Sequence, residues 1–189
     1  EFGNYHLINK MNNFRGEFGL ILYAASAPYN LTFLTGQTST SNGYVSASSA
    51  LPLIVYYWHH ITVTRSGSVP NTQISFYLDG KLIETKNTTA SAGTAQNPTV
   101  SSEYIYVGVG KSSSSNIYPN DRFKGYMSNL RLYNTSLSDE DIYKLYKGTI
   151  DLSSTLNIDQ RPRLEKYYYD SGTSLVHFSF DSIDKSTTY

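Results

Sequence analysis

Apolar residues at every second position, interrupted by glycine-containing turns, most constrain what this 189-residue chain can fold into. Ile61 and Val63 alternate with Thr62 and Thr64. Ile74, Phe76 and Leu78 alternate with Ser75 and Tyr77, and Ile105, Val107 and Val109 repeat the pattern. A period of two places each apolar set on one face of a half-buried strand. The opposite set, Thr62, Thr64, Ser75, Tyr77, Tyr104 and Tyr106, is expected on a solvated outer face. Turn clusters separate the strands at Ser66-Gly67-Ser68, Asp79-Gly80 and residues 90–98 and 111–120. Asp79-Gly80 predicts a two-residue hairpin, since glycine readily takes the positive φ such a turn needs. Many short strands between such turns predict an all-β, two-sheet antiparallel jelly-roll sandwich.

One helix stands out, near residues 139–147. Ser138 is placed to cap it, with Asp141 three residues on in a capping-box arrangement. Asp139 and Glu140 put negative charge in the first turn, where the helix dipole favours it. Leu137 and Ile142 hold staple positions, Ile142, Leu145 and Tyr146 form an apolar stripe, and Lys147-Gly148 supplies the stop. Beyond Gly148 the chain turns polar and irregular, then alternates again at Val176, Phe178 and Phe180. The expected organisation is therefore a sandwich over residues 1–149. Residues 150–189 form a linker or arm ending in a strand that completes this sandwich or a neighbouring one.

Composition excludes several classes of function. Fifteen basic residues balance fifteen acidic ones, and no basic stripe offers the counterion release that nucleic-acid binding requires. The longest apolar run, residues 51–58, is too short to cross a bilayer and contains Pro52. No charged n-region precedes an apolar stretch at the start, so no secretory signal is expected within these residues. The absence of cysteine does not fix the compartment, since a larger sandwich holds without disulfides. Abundant Ser and Thr with 18 Tyr and little charge fit an extracellular or surface location. The sequons at Asn30, Asn87 and Asn134 point the same way as glycosylation sites, whereas Asn97 is excluded by Pro98.

Five motifs stand in order: Trp58-His59-His60-Ile61, Tyr77-Leu78-Asp79-Gly80, Val107-Gly108, Phe123-Lys124-Gly125 and the capped helix of residues 137–142. Together they resemble the laminin-G-like branch of the concanavalin A-like lectin/glucanase superfamily, over residues 5–148. The resemblance implies a non-catalytic module that binds a glycan or an extracellular protein. It also implies an opening strand of the type hydrophobic-x-Phe-x-Phe-Asp, which does not precede Tyr5. LVHFSFD, containing Val176, Phe178 and Phe180, looks like that strand displaced to the far end. Three outcomes stay open: insertion into its own sandwich, donation to a neighbour as a homo-oligomer, or the start of a further domain. Donation corresponds to the alternative function, a structural subunit of a fibre, sheath or surface layer.

Candidate chemistry is sparse. Glycoside cleavage needs two facing carboxylates, commonly on alternate positions of one strand, and no Glu-x-Asp-x-Glu pattern occurs. The cluster Asp139-Glu140-Asp141 is explained by its place in the first helical turn, so no enzymatic activity is expected. His59 and His60, adjacent on a strand, face opposite sides and do not chelate one ion together. Calcium, implied by the family, would take Asp121 at the end of a long loop. Sugar contacts are assigned to Tyr44, Tyr118 and Asn120, beside flexible Ser/Asn/Gly stretches. Trp58 is read as a core residue.

Overall fold

A computed structural model of the chain describes residues 4–12, 15–23, 27–38, 43–98, 103–110, 122–148, 163–170 and 175–181, the last two by backbone alone. Strand β1 (Asn4–Asn12) and β2 (Arg15–Tyr23) form a hairpin that β3 (Tyr29–Thr38) and β4 (Tyr44–Leu51) extend antiparallel. A second hairpin sheet follows from β5 (Ile61–Ser66), β6 (Gln73–Leu78) and β7 (Lys81–Asn87). Short strands β8 (Thr89–Ala90), β9 (Ala95–Gln96) and β10 (Tyr106–Val107) return to the first sheet. Helix α1 (Asp139–Lys147) comes next, then β11 (Arg163–Asp170) and β12 (Leu175–Asp181). Among the described residues the large sheet has the order β11-β12-β10-β1-β2-β3-β4-β8, with β9 on β3, and the small sheet β5-β6-β7. The all-β, two-sheet antiparallel sandwich with one short helix is thus the observed fold.

The core lies where the alternating faces of the two sheets meet. Leu7, Leu31, Ala47 and Leu51 of the large sheet pack with Ile74 and Phe76 of β6. Ile74 and Phe76 are fully buried, each contributing roughly 2–3 kcal/mol by removal of apolar surface from water. A second cluster joins Met11, Ile21 and Leu34, with Tyr23 and Tyr44 packed against it. Between β6 and β7, Asp79 and Gly80 both have positive φ, 52° and 76°, and Leu78 pairs with Lys81. This is the type I′ turn that the Asp-Gly pair predicts.

Helix α1 also follows its sequence signals, with one change. Ser138 Oγ accepts from Asp141 N–H at 3.2 Å, but its hydroxyl donates to Asp141 Oδ2 at 2.7 Å. The aspartate therefore closes on the cap's hydroxyl rather than its backbone N–H. Gly148 takes the left-handed conformation and its N–H reaches Leu145 C=O. Ile142, wholly buried, anchors the helix.

Two expectations are corrected. Tyr77, expected on a solvated face, is buried, because α1 covers that side of β6 and Asp139 accepts from its hydroxyl at 2.7 Å. Trp58, read as core, is 67% exposed. The reason is local: the pairing of β5 ends at His60, whose C=O accepts from Asp79 N–H at 2.8 Å. Tyr56, with a left-handed φ of 69°, lies in a turn just before it rather than in the strand. Residues 163–170 lie between the expected linker and the terminal strand. They form β11, paired with β12 from Arg163↔Asp181 to Asp170↔Leu175. The β11–β12 hairpin meets the rest of the sheet at Tyr106↔His177. The side chains of Val176, Phe178 and Phe180 lie outside what is described.

His6 on β1 offers a test of core integrity. It is buried, its Nδ1 lies 3.3 Å from Asn9 Nδ2, and its ring fills the space beside Gly110. A Cβ on Gly110 would come within 2.5 Å of that ring. Burial lowers the His6 pKa from 6.5 to about 4. The folded state therefore keeps His6 neutral while the unfolded chain protonates it near pH 6.5. Its contribution is complete above that pH and is lost as pH falls toward 4, about 3 kcal/mol in all. Urea midpoints should fall across this window, and His6→Gln should flatten the slope. An unchanged slope in the variant contradicts the assignment.

Candidate functional site

The run from Leu51 to Trp58, noted in sequence only as too short for a membrane span, forms the most unusual surface of the molecule. It leaves the end of β4, passes Pro52 and Leu53, and exposes five consecutive large side chains. Their exposures are Ile54 61%, Val55 54%, Tyr56 102%, Tyr57 73% and Trp58 67%. Scattered apolar residues are normal on a surface, but a contiguous run of this size marks an interaction site. Leu51 and Leu53 still pack in the core, and the signal in the sequence was the unbroken row of five large side chains that follows them, which no single strand face can bury.

The loop is held by the β6–β7 turn. His59 Nδ1 lies 2.9 Å from Asp79 Oδ2, and Asp79 Oδ1 accepts from His60 N–H at 2.9 Å. On its other side His59 Nε2 lies 3.0 Å from Ile54 N and 3.1 Å from Ile54 O. With Nδ1–H donating to Asp79, a neutral ring accepts from Ile54 N–H, and a protonated ring donates to Ile54 C=O. Either protonation state thus ties the loop to the turn. Burial alone pushes the Asp79 carboxyl up, but hydrogen bonds from His59 and His60 and the nearby imidazoles hold it below its ordinary value. His60 is shifted down, chiefly by burial and also by Arg131, with Asp79 opposing.

The same turn brings α1 alongside. Tyr146 packs over Gly80, where a Cβ would lie 2.9 Å from Tyr146 Cβ, so the residue must be glycine for space as well as for φ. The Tyr146 ring is 5.9 Å from His60, and Lys147 Nζ sits 5.3 Å from the Tyr146 ring and 5.6 Å from Tyr143. Cation–π contacts of this exposed kind contribute about 0.5–1 kcal/mol. The result is an aromatic and aliphatic surface around one turn, with Lys81 and Lys147 beside it.

Of the ligand and calcium residues singled out from sequence, Tyr44 lies within the described residues. Tyr44 begins β4, is half-buried, and packs on the Met11, Ile21 and Leu34 cluster. Its N–H donates to Ser91 Oγ and its C=O accepts from Ser91 N–H, both at 2.9 Å. Along β4 it lies roughly 24 Å from Leu51, where the aromatic loop starts. Tyr118, Asn120 and Asp121 lie outside the described residues. No group of three or more His, Asp or Glu side chains positioned for a metal occurs among the described residues. Asn30, Asn87 and Asn134 are all exposed. No helix among the described residues is long and apolar enough to cross a membrane.

Two antiparallel sheets, a type I′ turn and a capped helix in this order define a concanavalin A-like sandwich. The chain belongs to the concanavalin A-like lectin/glucanases superfamily, whose laminin-G-type family model matches residues 5–143. It is similar to usherin of Mus musculus, 30% identical over 96 residues, which are 51% of this chain and 2% of usherin. The chain thus spans a very small part of that relative. Among solved structures it is similar to residues 221–444 of an S-layer domain-containing protein from Clostridium thermocellum. That likeness has 20% identity over 77% of this chain and 64% of the other, with a TM-score of 0.36.

The brace makes a direct prediction. Asp79→Ala leaves His59 Nδ1 and His60 N–H without their carboxylate and puts alanine at positive φ. It should cost about 2 kcal/mol or more, whereas Asp79→Asn, which tolerates that backbone, should cost less. Urea denaturation followed by circular dichroism measures both. Equal midpoints for Asp79→Ala and the parent protein would remove the brace from the account.

Proposed function

We propose that the chain is a non-catalytic extracellular recognition module that binds a glycan or a protein surface through loops. The observation that carries this reading is the family match across both sheets, residues 5–143, on a framework whose most exposed large side chains sit on loops. The outward-facing sequons Asn30, Asn87 and Asn134 agree with an extracellular setting and are proposed as glycosylation sites. The polar ligand contacts are assigned to Tyr44, Tyr118 and Asn120, with Asp121 supplying a carboxylate if calcium takes part.

The test is binding to a broad glycan array and to extracellular-matrix proteins, with calcium and with chelator. Binding should fall about tenfold or more in Tyr118→Ala or Asn120→Ala if these are anchors. Dependence on calcium should vanish in Asp121→Asn. No signal from folded protein on any surface, in either condition, removes the reading.

A second reading, a structural subunit assembled by strand exchange, is favoured by one observation. Among the described residues the β11–β12 hairpin has seven register pairs within itself but one, Tyr106↔His177, to the rest of the sheet. A self-paired hairpin held by so short a junction is a natural unit for exchange between copies. Light scattering after size exclusion should then show oligomers that removal of residues 163–189 abolishes. A monomer at all concentrations leaves only the first reading.

A further inference from the structure

We propose that the loop carrying Ile54, Val55, Tyr56, Tyr57 and Trp58 docks on a lipid surface, inserting its tip among the headgroups of an anionic membrane. This surface is separate from the Tyr44 end of β4 and does not depend on glycan binding there. Shape is the first argument. Tyr56 is 102% exposed, so no neighbour covers it, and its flanking residues are more than half exposed. The loop is a projecting tip rather than a groove, and a fluid bilayer receives such a tip without a matching pocket.

Chemistry is the second argument. Residues 51–58 carry no formal charge. Ile54 and Val55 present aliphatic surface, of little use to a sugar hydroxyl, while Tyr56, Tyr57 and Trp58 are the ring types that favour the membrane–water interface. The two polar side chains that brace the loop already have partners: His59 with Asp79 and Ile54, and Asp79 with His59 and His60. They are therefore poorly placed to read a glycan.

Backbone satisfaction is the third. An apolar environment penalises every unpaired N–H. Here Leu53 N–H donates to Leu51 C=O at 2.8 Å, Ile54 N–H to His59 Nε2 at 3.0 Å and Tyr57 N–H to Ile54 C=O at 3.4 Å. The loop thus carries part of its own hydrogen bonding into the interface.

Charge is the fourth. Lys81 follows the bracing turn and Lys147 lies over Tyr143 and Tyr146, whose helix meets that turn through Gly80. The acidic first turn of α1 is about 12 Å away along the helix axis. Basic side chains beside an apolar tip match an anionic leaflet. Aromatic and aliphatic residues flanked by lysine form the composition of an interfacial anchor.

Trp58 is the single tryptophan of the chain and reports directly. With vesicles of phosphatidylcholine and phosphatidylserine, its emission should shift to the blue and the protein should sediment with the vesicles. Val55→Asp, a charge at an exposed position, should lower the partition coefficient roughly tenfold or more. Tyr56→Asn, which keeps the positive φ, should weaken binding without unfolding the loop. Lys81→Gln with Lys147→Gln should weaken binding to anionic vesicles and leave pure phosphatidylcholine unaffected. Circular dichroism verifies folding of each variant. The proposal is overturned if the folded parent protein neither shifts nor sediments, or if Val55→Asp binds vesicles as the parent does. It is also overturned if Trp58 shifts without vesicles as the protein dimerises, since a second copy is then the occupant.

Discussion

The carboxylate of Asp79 is the interaction on which the upper end of this sandwich depends. One oxygen receives His60 N–H where the β5 pairing ends, and the other meets the His59 ring that holds Ile54. The residue also occupies the first positive-φ position of the β6–β7 turn. A single short side chain therefore sets where a strand stops, how a hairpin reverses and where a loop points. Glycine in its place would meet the backbone demand and lose both hydrogen bonds. Asparagine would keep the shape and lose the charge that pairs with histidine.

Much of this frame was legible in sequence because local chemistry dictates it. Ile74, Phe76 and Leu78 are buried as their alternation requires, the Asp79-Gly80 turn is type I′, and α1 starts and stops at its cap residues. What alternation does not encode is how many layers cover a strand. Tyr77 is on the face opposite Phe76 and was assigned to solvent, yet a helix 62 positions later in the chain closes over it. Such a contact is set by the path of the intervening chain, which has no signature in a six-residue strand. Trp58 failed for a related reason. A tryptophan before an alternating run reads as the first strand residue, but the ladder begins only after Asp79 has captured His60.

The candidate site was less legible than the fold, and the reason is chemical. In three of the five ordered motifs the small and polar residues are occupied with structure: His59 and Asp79 hold each other, Gly80 makes room for Tyr146, and Asp139 takes the Tyr77 hydroxyl. Residues so engaged identify a superfamily without specifying a ligand. The informative stretch was residues 54–58, consecutive apolar and aromatic side chains of which alternation can bury only half. Non-conformity to a period, read alongside composition, marks such surfaces better than motif matching does.

The architecture explains why that run stays outside. The chain crosses from β4 of the large sheet to β5 of the small one through residues 52–60, none of which pairs in either sheet among the described residues. A crossing segment there must be polar, covered, or tolerated as exposed apolar surface. Polar residues would be the inexpensive choice, and leaving Ile54, Val55 and Trp58 in water is unfavourable for solubility. The His59–Asp79 brace adds order to a segment that gains nothing for the core. An ordered, exposed and apolar loop is the combination that lowers the entropy cost of docking, because its shape is fixed before a partner arrives. The brace thus fixes the shape of the loop while its apolar side chains stay in water.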